Sequence, residues 1–116
     1  MPGIPEITVE DLAVRLRSSE PFVLLDVREP WELESARIAD SRLALAPMSR
    51  LSELGLDGLP DSAQARQAEV LVLCHHGVRS AQVTAWLSAR GWTRAFSVSG
   101  GIEEYARKID PSVGRY

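Results

Sequence analysis

The sequence holds one cysteine, Cys74, and it stands at the head of Cys74-His75-His76-Gly77-Val78-Arg79-Ser80. A thiolate is a strong nucleophile, and this run supplies what favours one. Gly77 permits the backbone to curl, and the N–H groups of such a curl can converge as a nest for negative charge, backed by a helix N-terminus. Arg79 adds a permanent positive charge at the rim. A second reading makes Cys74 a small core hydrophobe, since free cysteine is among the most buried residue types. The two histidines, the glycine and the arginine that follow it favour the nucleophile. A lone cysteine excludes an intramolecular disulfide and a multi-cysteine zinc framework. Cys74, His75 and His76 are the only cysteine and histidines, and adjacent residues converge poorly on one tetrahedral ion. No metal site is expected on these residues.

The elements that must position this loop are legible from periodicity. Val70-Leu71-Val72-Leu73 reads with Glu69 as a strand of the buried parallel kind, leaving Cys74 at its carboxyl end. Ser80 to Arg90 reads as the following helix, with Val83, Trp86 and Leu87 inward and Gly91 at a left-handed cap. Upstream, Thr8 caps a helix carrying Val9, Leu12, Ala13 and Leu16, and Asp11 stands in the capping-box position. Phe22 to Val27 reads as a second buried strand, and Pro30 as the first turn of a short helix with Trp31 and Leu33. Leu43 to Ala46 is a short strand or an extended connector, and Met48, Leu51 and Leu54 make a brief helix stopped at Gly55. Residues 55–68 read as a surface loop with a helical turn from Ser62 to Ala68. Arg94 to Val98 is a last strand, Gly100-Gly101 a turn, and Ile102 to Ile109 a final helix stopped by Pro111. Strands separated by helices predict one α/β domain over residues 1–116, a mostly parallel sheet with helices on both faces. Ligands of such sheets bind beyond the carboxyl ends of the strands, where Cys74 lies. Trp31, Trp86 and Trp92 are read as core or pocket-wall residues.

Composition bounds the partners. In 116 residues, 45% hydrophobic and 25% charged, 16 acids stand against 13 bases for a formal charge of −3. That balance argues against a nucleic-acid reader. The longest apolar runs, Phe22 to Leu25 and Val70 to Cys74, are too short to cross a bilayer. Met1 to Glu6 has no basic region followed by an apolar core, so no secretory signal is read there. With a lone cysteine, these features point to the cytoplasm.

Cys74 to Ser80 resembles the active-site loop of rhodanese-type sulfurtransferases. Leu24-Leu25-Asp26-Val27-Arg28-Glu29-Pro30-Trp31-Glu32 is similar to the family's early strand-and-turn signature. Ser99-Gly100-Gly101-Ile102-Glu103-Glu104-Tyr105 is similar to its glycine pair and closing helix. Ile109 to Tyr116 resembles the tail of rhodanese modules fused to ubiquitin-like-protein activating enzymes. At Ala36-Arg37-Ile38-Ala39-Asp40-Ser41 the chain departs from the family's Gly-His-Ile and Pro-Gly-Ala-like stretch, keeping only Ile38.

The resemblance implies a rhodanese-like fold and a two-step sulfur transfer that requires no metal and no organic cofactor. Cys74 takes a sulfane sulfur from a donor such as thiosulfate and carries it as a persulfide. The N–H groups from His75, His76, Gly77 and Val78 through Ser80 receive the terminal sulfur's charge, and a nucleophile then removes it. Arg79 orients an anionic donor, and Asp26 and Arg28 brace the loop or make an ordinary surface or framework ion pair. His75 and His76 either assist proton transfer or supply only backbone donors with their rings in solvent, the latter being favoured. Cyanide, a thiol, thioredoxin or a sulfur-carrier protein are the expected acceptors. Two alternatives stand beside this: a noncatalytic interaction module of the same fold, and a cysteine-dependent phosphatase or arsenate reductase. Phosphatase-type loops place five residues between cysteine and arginine, whereas only His75 to Val78 intervene here, leaving less room for a tetrahedral oxyanion.

Overall fold

A computed structural model of the chain describes residues 3–116; Met1 and Pro2, the start of the segment read as lacking a signal, lie outside the described residues. Five parallel strands form one sheet in the order β1-β5-β4-β2-β3. They are β1 (Glu6–Ile7), β2 (Val23–Asp26), β3 (Leu43–Leu45), β4 (Val70–Leu73) and β5 (Ala95–Val98). Four α-helices accompany them: α1 (Val9–Arg17), α2 (Met48–Leu54), α3 (Val78–Ala89) and α4 (Gly101–Lys108). Among the described residues no helix is long and apolar enough to cross a membrane.

The unbroken apolar runs of β2 and β4 follow from having both sheet faces covered. Val23, Leu25, Val70 and Val72 point to one face, where Leu51 of α2, Val83 and Leu87 of α3, and Trp92 pack. Leu24, Leu71 and Leu73 point to the other, against Val9, Leu12 and Ala13 of α1 and Ile102 and Tyr105 of α4. Thr8 caps α1 as expected, its Oγ1 accepting from Asp11 N at 3.1 Å.

β4 is central, and its two successors diverge. The helix after β4 packs on the first face and the helix after β5 on the second. The carboxyl ends of β4 and β5 therefore border the crevice in which open α/β sheets bind ligands. Cys74 stands at its edge.

Several expectations need correcting. Strand β1 has no counterpart in the sequence reading; its two residues form by pairing Glu6 with Ser97 and Ile7 with Val98. Between 55 and 68 the chain forms two 3-10 turns, Gly55–Gly58 and Asp61–Ala63. In place of one helical turn from Ser62 to Ala68 it makes the second of these and a separate turn closed by Ala68 N donating to Ala65 O at 3.0 Å. Helix α3 starts at Val78 rather than Ser80, because left-handed Gly77 (φ 101°) delivers the chain directly into it. Arg79 thus belongs to the helix's first turn. Trp92 is core and Trp86 lines a cleft with Met48 and Leu51, but Trp31 is 64% exposed. On the 3-10 turn Pro30–Glu34 the inward position falls to Glu32 instead.

Candidate active site

The Cys74 sulfur lies at the base of the loop that links β4 to α3, and the residue is 1% exposed. Its Sγ accepts from the backbone N–H of Gly77 at 3.1 Å and of Ser80 at 3.3 Å. Two donors on one sulfur stabilise negative charge there. The N–H groups of His75, His76, Val78 and Arg79 have no acceptor among the described residues. They remain available to an anion at the loop.

Beneath the sulfur lies a buried hydroxyl pair. Ser80 Oγ sits 3.3 Å from Cys74 Sγ and 2.8 Å from Ser97 Oγ on β5. Both serines are fully buried. Sequence reasoning values Ser80 for its backbone and misses Ser97, whose inward place on β5 is its one signal.

Two glycines let the neighbouring strand end close on the loop. A Cβ on Gly101 would stand 2.4 Å from His75 O and 2.6 Å from Cys74 O. Its absence lets Ile102 N donate to Cys74 O at 2.9 Å and Glu103 N to His75 O at 3.1 Å. Gly77 meets Gly100 in the same way, where a Cβ would lie 3.1 Å from Gly100 N. The glycine pair after β5 and the cysteine loop after β4 thus form one packed unit.

Arg79 does not stand free at the rim. Its Nη1 and Nη2 donate to Glu32 Oε2 and Oε1 at 2.8 and 2.9 Å, a bidentate pair. Glu32 is 3% exposed and also accepts from Glu29 N at 2.8 Å and from the Tyr116 hydroxyl at 2.8 Å. Arg79 foremost, with these other donors, holds its carboxyl down to about 2, against a burial that would raise it. The Arg79 guanidinium is correspondingly more basic than usual, chiefly through Glu32. Sequence reasoning misses Glu32 as a partner. It sits inside the quoted strand-and-turn signature, but in a polar turn that reads as solvated.

Asp26 and Arg28 form a buried framework pair, both fully enclosed. Arg28 Nη2 and Nε donate to the Asp26 carboxylate at 2.7 and 3.0 Å. Arg28 Nη1 reaches Ala36 O at 2.8 Å and Tyr116 Oη at 3.2 Å. Through Tyr116 and Glu32 this pair is connected to Arg79, so Asp26 and Arg28 reach the loop through intermediaries. The surface alternative is excluded by their burial.

The His75 ring is not in solvent. It stacks on His76 at 3.9 Å on one side and on Tyr116 at 3.8 Å on the other, and its Nε2 is buried without a partner. Burial, and next the neighbouring His76, lower its pKa. His76 and Val78 are exposed. Among the described residues no group of three or more His, Cys, Asp or Glu side chains could hold a metal ion.

The fold that places Cys74 between β4 and α3 is one shared with known proteins. The Rhodanese-like domain family matches residues 8–108, and the chain belongs to that family. A protein named Sulfurtransferase from Allochromatium vinosum is 33% identical over 113 residues, covering 95% of both chains. The chloroplastic Rhodanese-like/PpiC domain-containing protein 12 of Arabidopsis thaliana is 31% identical over 97% of this chain, which spans 38% of that protein. The chain spans 26% of the Mycobacterium tuberculosis protein named Probable adenylyltransferase/sulfurtransferase MoeZ, at 31% identity over 95% of this chain. Among solved structures, a rhodanese-like domain protein from Staphylococcus aureus superposes with a TM-score of 0.71 at 29% identity, over 87% of this chain and 90% of that one.

Proposed function

We propose that the protein is a rhodanese-type sulfurtransferase that carries sulfur as a persulfide on Cys74. The observation that carries this reading is the pair of N–H donors from Gly77 and Ser80 on one sulfur at the carboxyl end of the central strand. The relatives named for sulfur transfer support it. With thiosulfate, the Cys74 thiolate attacks the outer sulfur and the S–S bond of the donor breaks. Sulfite leaves with the electron pair, and Cys74-S-S⁻ remains. Cyanide or a thiolate then attacks that outer sulfur and returns the thiolate, closing a two-step cycle.

The chain's own groups serve both steps. Persulfide formation moves the negative charge one atom outward from Sγ, toward the unpaired N–H groups of His75, His76, Val78 and Arg79. Fixed backbone donors stabilise charge where it develops without reorganising. Arg79, held by Glu32, presents its remaining face to an anionic donor. A sulfur-carrier protein or thioredoxin is the macromolecular acceptor this chemistry fits, and a reducing cytoplasm is the compartment that suits a cycling thiol. Incubation with thiosulfate followed by mass spectrometry tests the reading. A gain of one sulfur on Cys74, removed by cyanide or reductant, is expected. No gain with thiosulfate, mercaptopyruvate or a protein persulfide would leave a noncatalytic module instead.

A further inference from the structure

Tyr116 touches the site at three points that no step above uses. Its hydroxyl donates to Glu32 Oε1 at 2.8 Å and accepts from Arg28 Nη1 at 3.2 Å. Its ring lies flat on His75, with centroids 3.8 Å apart and planes 9° apart. Glu32 Oε1 is also the oxygen that Arg79 Nη2 holds at 2.9 Å. The residue therefore joins the two halves of the site: the carboxylate that fixes Arg79, and the loop residue next to Cys74.

The segment bearing Tyr116 is built to deliver it. Val113 O accepts from Arg37 N at 2.9 Å, and Arg115 pairs with Glu103 of α4. Gly114 (φ 97°) turns the chain against Ser35, whose carbonyl would stand 2.4 Å from a Cβ there. The contacts fall on the connector Ser35 to Arg37 and on α4, so the segment is tied to both sides of the site at a fixed register. The Tyr116 hydroxyl completes that carboxylate's set beside Glu29 N and Arg79.

We propose that Tyr116 is a positioning residue for sulfur transfer, its hydroxyl holding the Glu32–Arg79 pair in register with the Cys74 loop. The proposal rests on the persulfide reading only for its place in catalysis; the geometry it asserts is independent of turnover. Glu32 has two oxygens and an entering arginine that needs both. Without the hydroxyl, Glu32 Oε1 keeps only Arg79 Nη2, and Arg28 Nη1 keeps Ala36 O but loses its link to this carboxylate, so the carboxylate is held less firmly on the side facing Tyr116. The arginine fork then loses its fixed orientation over the loop.

Tyr116→Phe keeps the ring on His75 and removes only the hydroxyl. Because Cys74 is the only cysteine, alkylation reports that sulfur alone. The ratio of its rate with anionic iodoacetate to that with neutral iodoacetamide measures positive charge at the sulfur and needs no turnover. In Tyr116→Phe that ratio should fall roughly three- to tenfold, the scale of one net hydrogen bond. On an Arg79→Ala background the same change should add little, since coupled residues are non-additive. An unchanged ratio in Tyr116→Phe, or a full further loss in the double variant, would overturn the positioning role. The thiosulfate KM should follow the ratio while the cyanide KM stays within about twofold. Wild-type protein that gains no sulfur would strike the persulfide reading alone, since the alkylation ratio still decides the role of Tyr116.

Discussion

Glu32 and Arg79 meet through two parallel hydrogen bonds of 2.8 and 2.9 Å, one partner almost wholly buried and the other about a third open to solvent. The arginine of the loop is thus anchored from the side facing the core and open on the side facing solvent. That asymmetry is what the proposed function needs of Arg79, a scaffold contact on one side and a free charge on the other. Planar guanidinium geometry permits both, because its donors lie on more than one edge.

Stability should depend on this pair in a defined pH window. Glu32 is held at about 2 in the fold, against an ordinary value of 4.5. A depressed carboxylate stabilises the native state above its unfolded value and loses that contribution as pH falls toward its folded one. Wild-type protein should therefore lose stability on the order of 3 kcal/mol from this group between about pH 4.5 and 2. Glu32→Gln should start lower at pH 7 and show a flatter decline. Urea midpoints at pH 7, 4 and 2.5 measure it; parallel declines would mean Glu32 is not held low.

Cys74→Ser should abolish sulfur transfer and keep the fold. The smaller hydroxyl oxygen of the serine still accepts from Gly77 N and Ser80 N, the two donors now on sulfur. Cys74→Ala leaves both donors unpaired in a buried setting and should cost about 1–3 kcal/mol more than serine. Thermal or urea unfolding of the two variants separates them. Residual turnover in Cys74→Ser with thiosulfate and cyanide would rule out covalent catalysis through this sulfur.

What the sequence discloses follows from how local each signal is. The Val70–Leu73 run needs no context to read as a doubly covered strand, and Thr8 meets its bonding partner three residues away. The Cys74 loop is contiguous, so its donors can be anticipated from Gly77 alone. Glu32 cannot be: its burial depends on Arg79, 47 positions on, and on Tyr116, 84 positions on. An acid between Trp31 and Leu33 in a Pro-initiated turn carries no local mark of being inward. The start of α3 reads two residues late because Val78 and Arg79 read as part of the loop around Gly77, whereas left-handed Gly77 opens the helix directly. Strand β1 is two residues long and exists only through its partner, so no periodicity announces it.

Replacing Arg79 should expose its two roles separately. Arg79→Ala should raise the KM for thiosulfate roughly ten- to a hundredfold, one charge-assisted hydrogen bond's worth, and far more than for a neutral donor. It also strands the Glu32 carboxylate. A fully buried pair broken in this way costs about 3–5 kcal/mol, and the partial exposure of Arg79 should reduce that to about 2–3. Arg79→Lys should recover part of both losses, returning charge without the planar fork. Equal KM losses for charged and neutral donors would confine Arg79 to the scaffold.

Gly101 and Gly55 give a paired test of whether the loop depends on the close approach of the strand end after β5. Both have positive φ, 64° and 60°, so alanine at either is strained, by about 1–3 kcal/mol, and Gly55 with ψ −138° lies in a region that favours glycine especially. They differ in surroundings. At Gly55 an added Cβ meets nothing within 4 Å, whereas at Gly101 it meets the carbonyl oxygens of His75 and Cys74 at 2.4 and 2.6 Å. Those oxygens belong to the Cys74 loop and accept from Ile102 N and Glu103 N in the first turn of α4. Gly55→Ala should therefore lose only the backbone term and retain full sulfur transfer. Gly101→Ala must push the loop outward, so it should lose the Ile102–Cys74 and Glu103–His75 bonds and, with about 1 kcal/mol net for each, about 2 kcal/mol beyond its own backbone strain. Its kcat should fall even below the unfolding midpoint, because the Gly77 and Ser80 donors move with the loop. Denaturant titration with kcat measured on the folded fraction decides the matter: equal behaviour of the two variants would show that Gly101 supports its own turn and nothing of the cysteine loop.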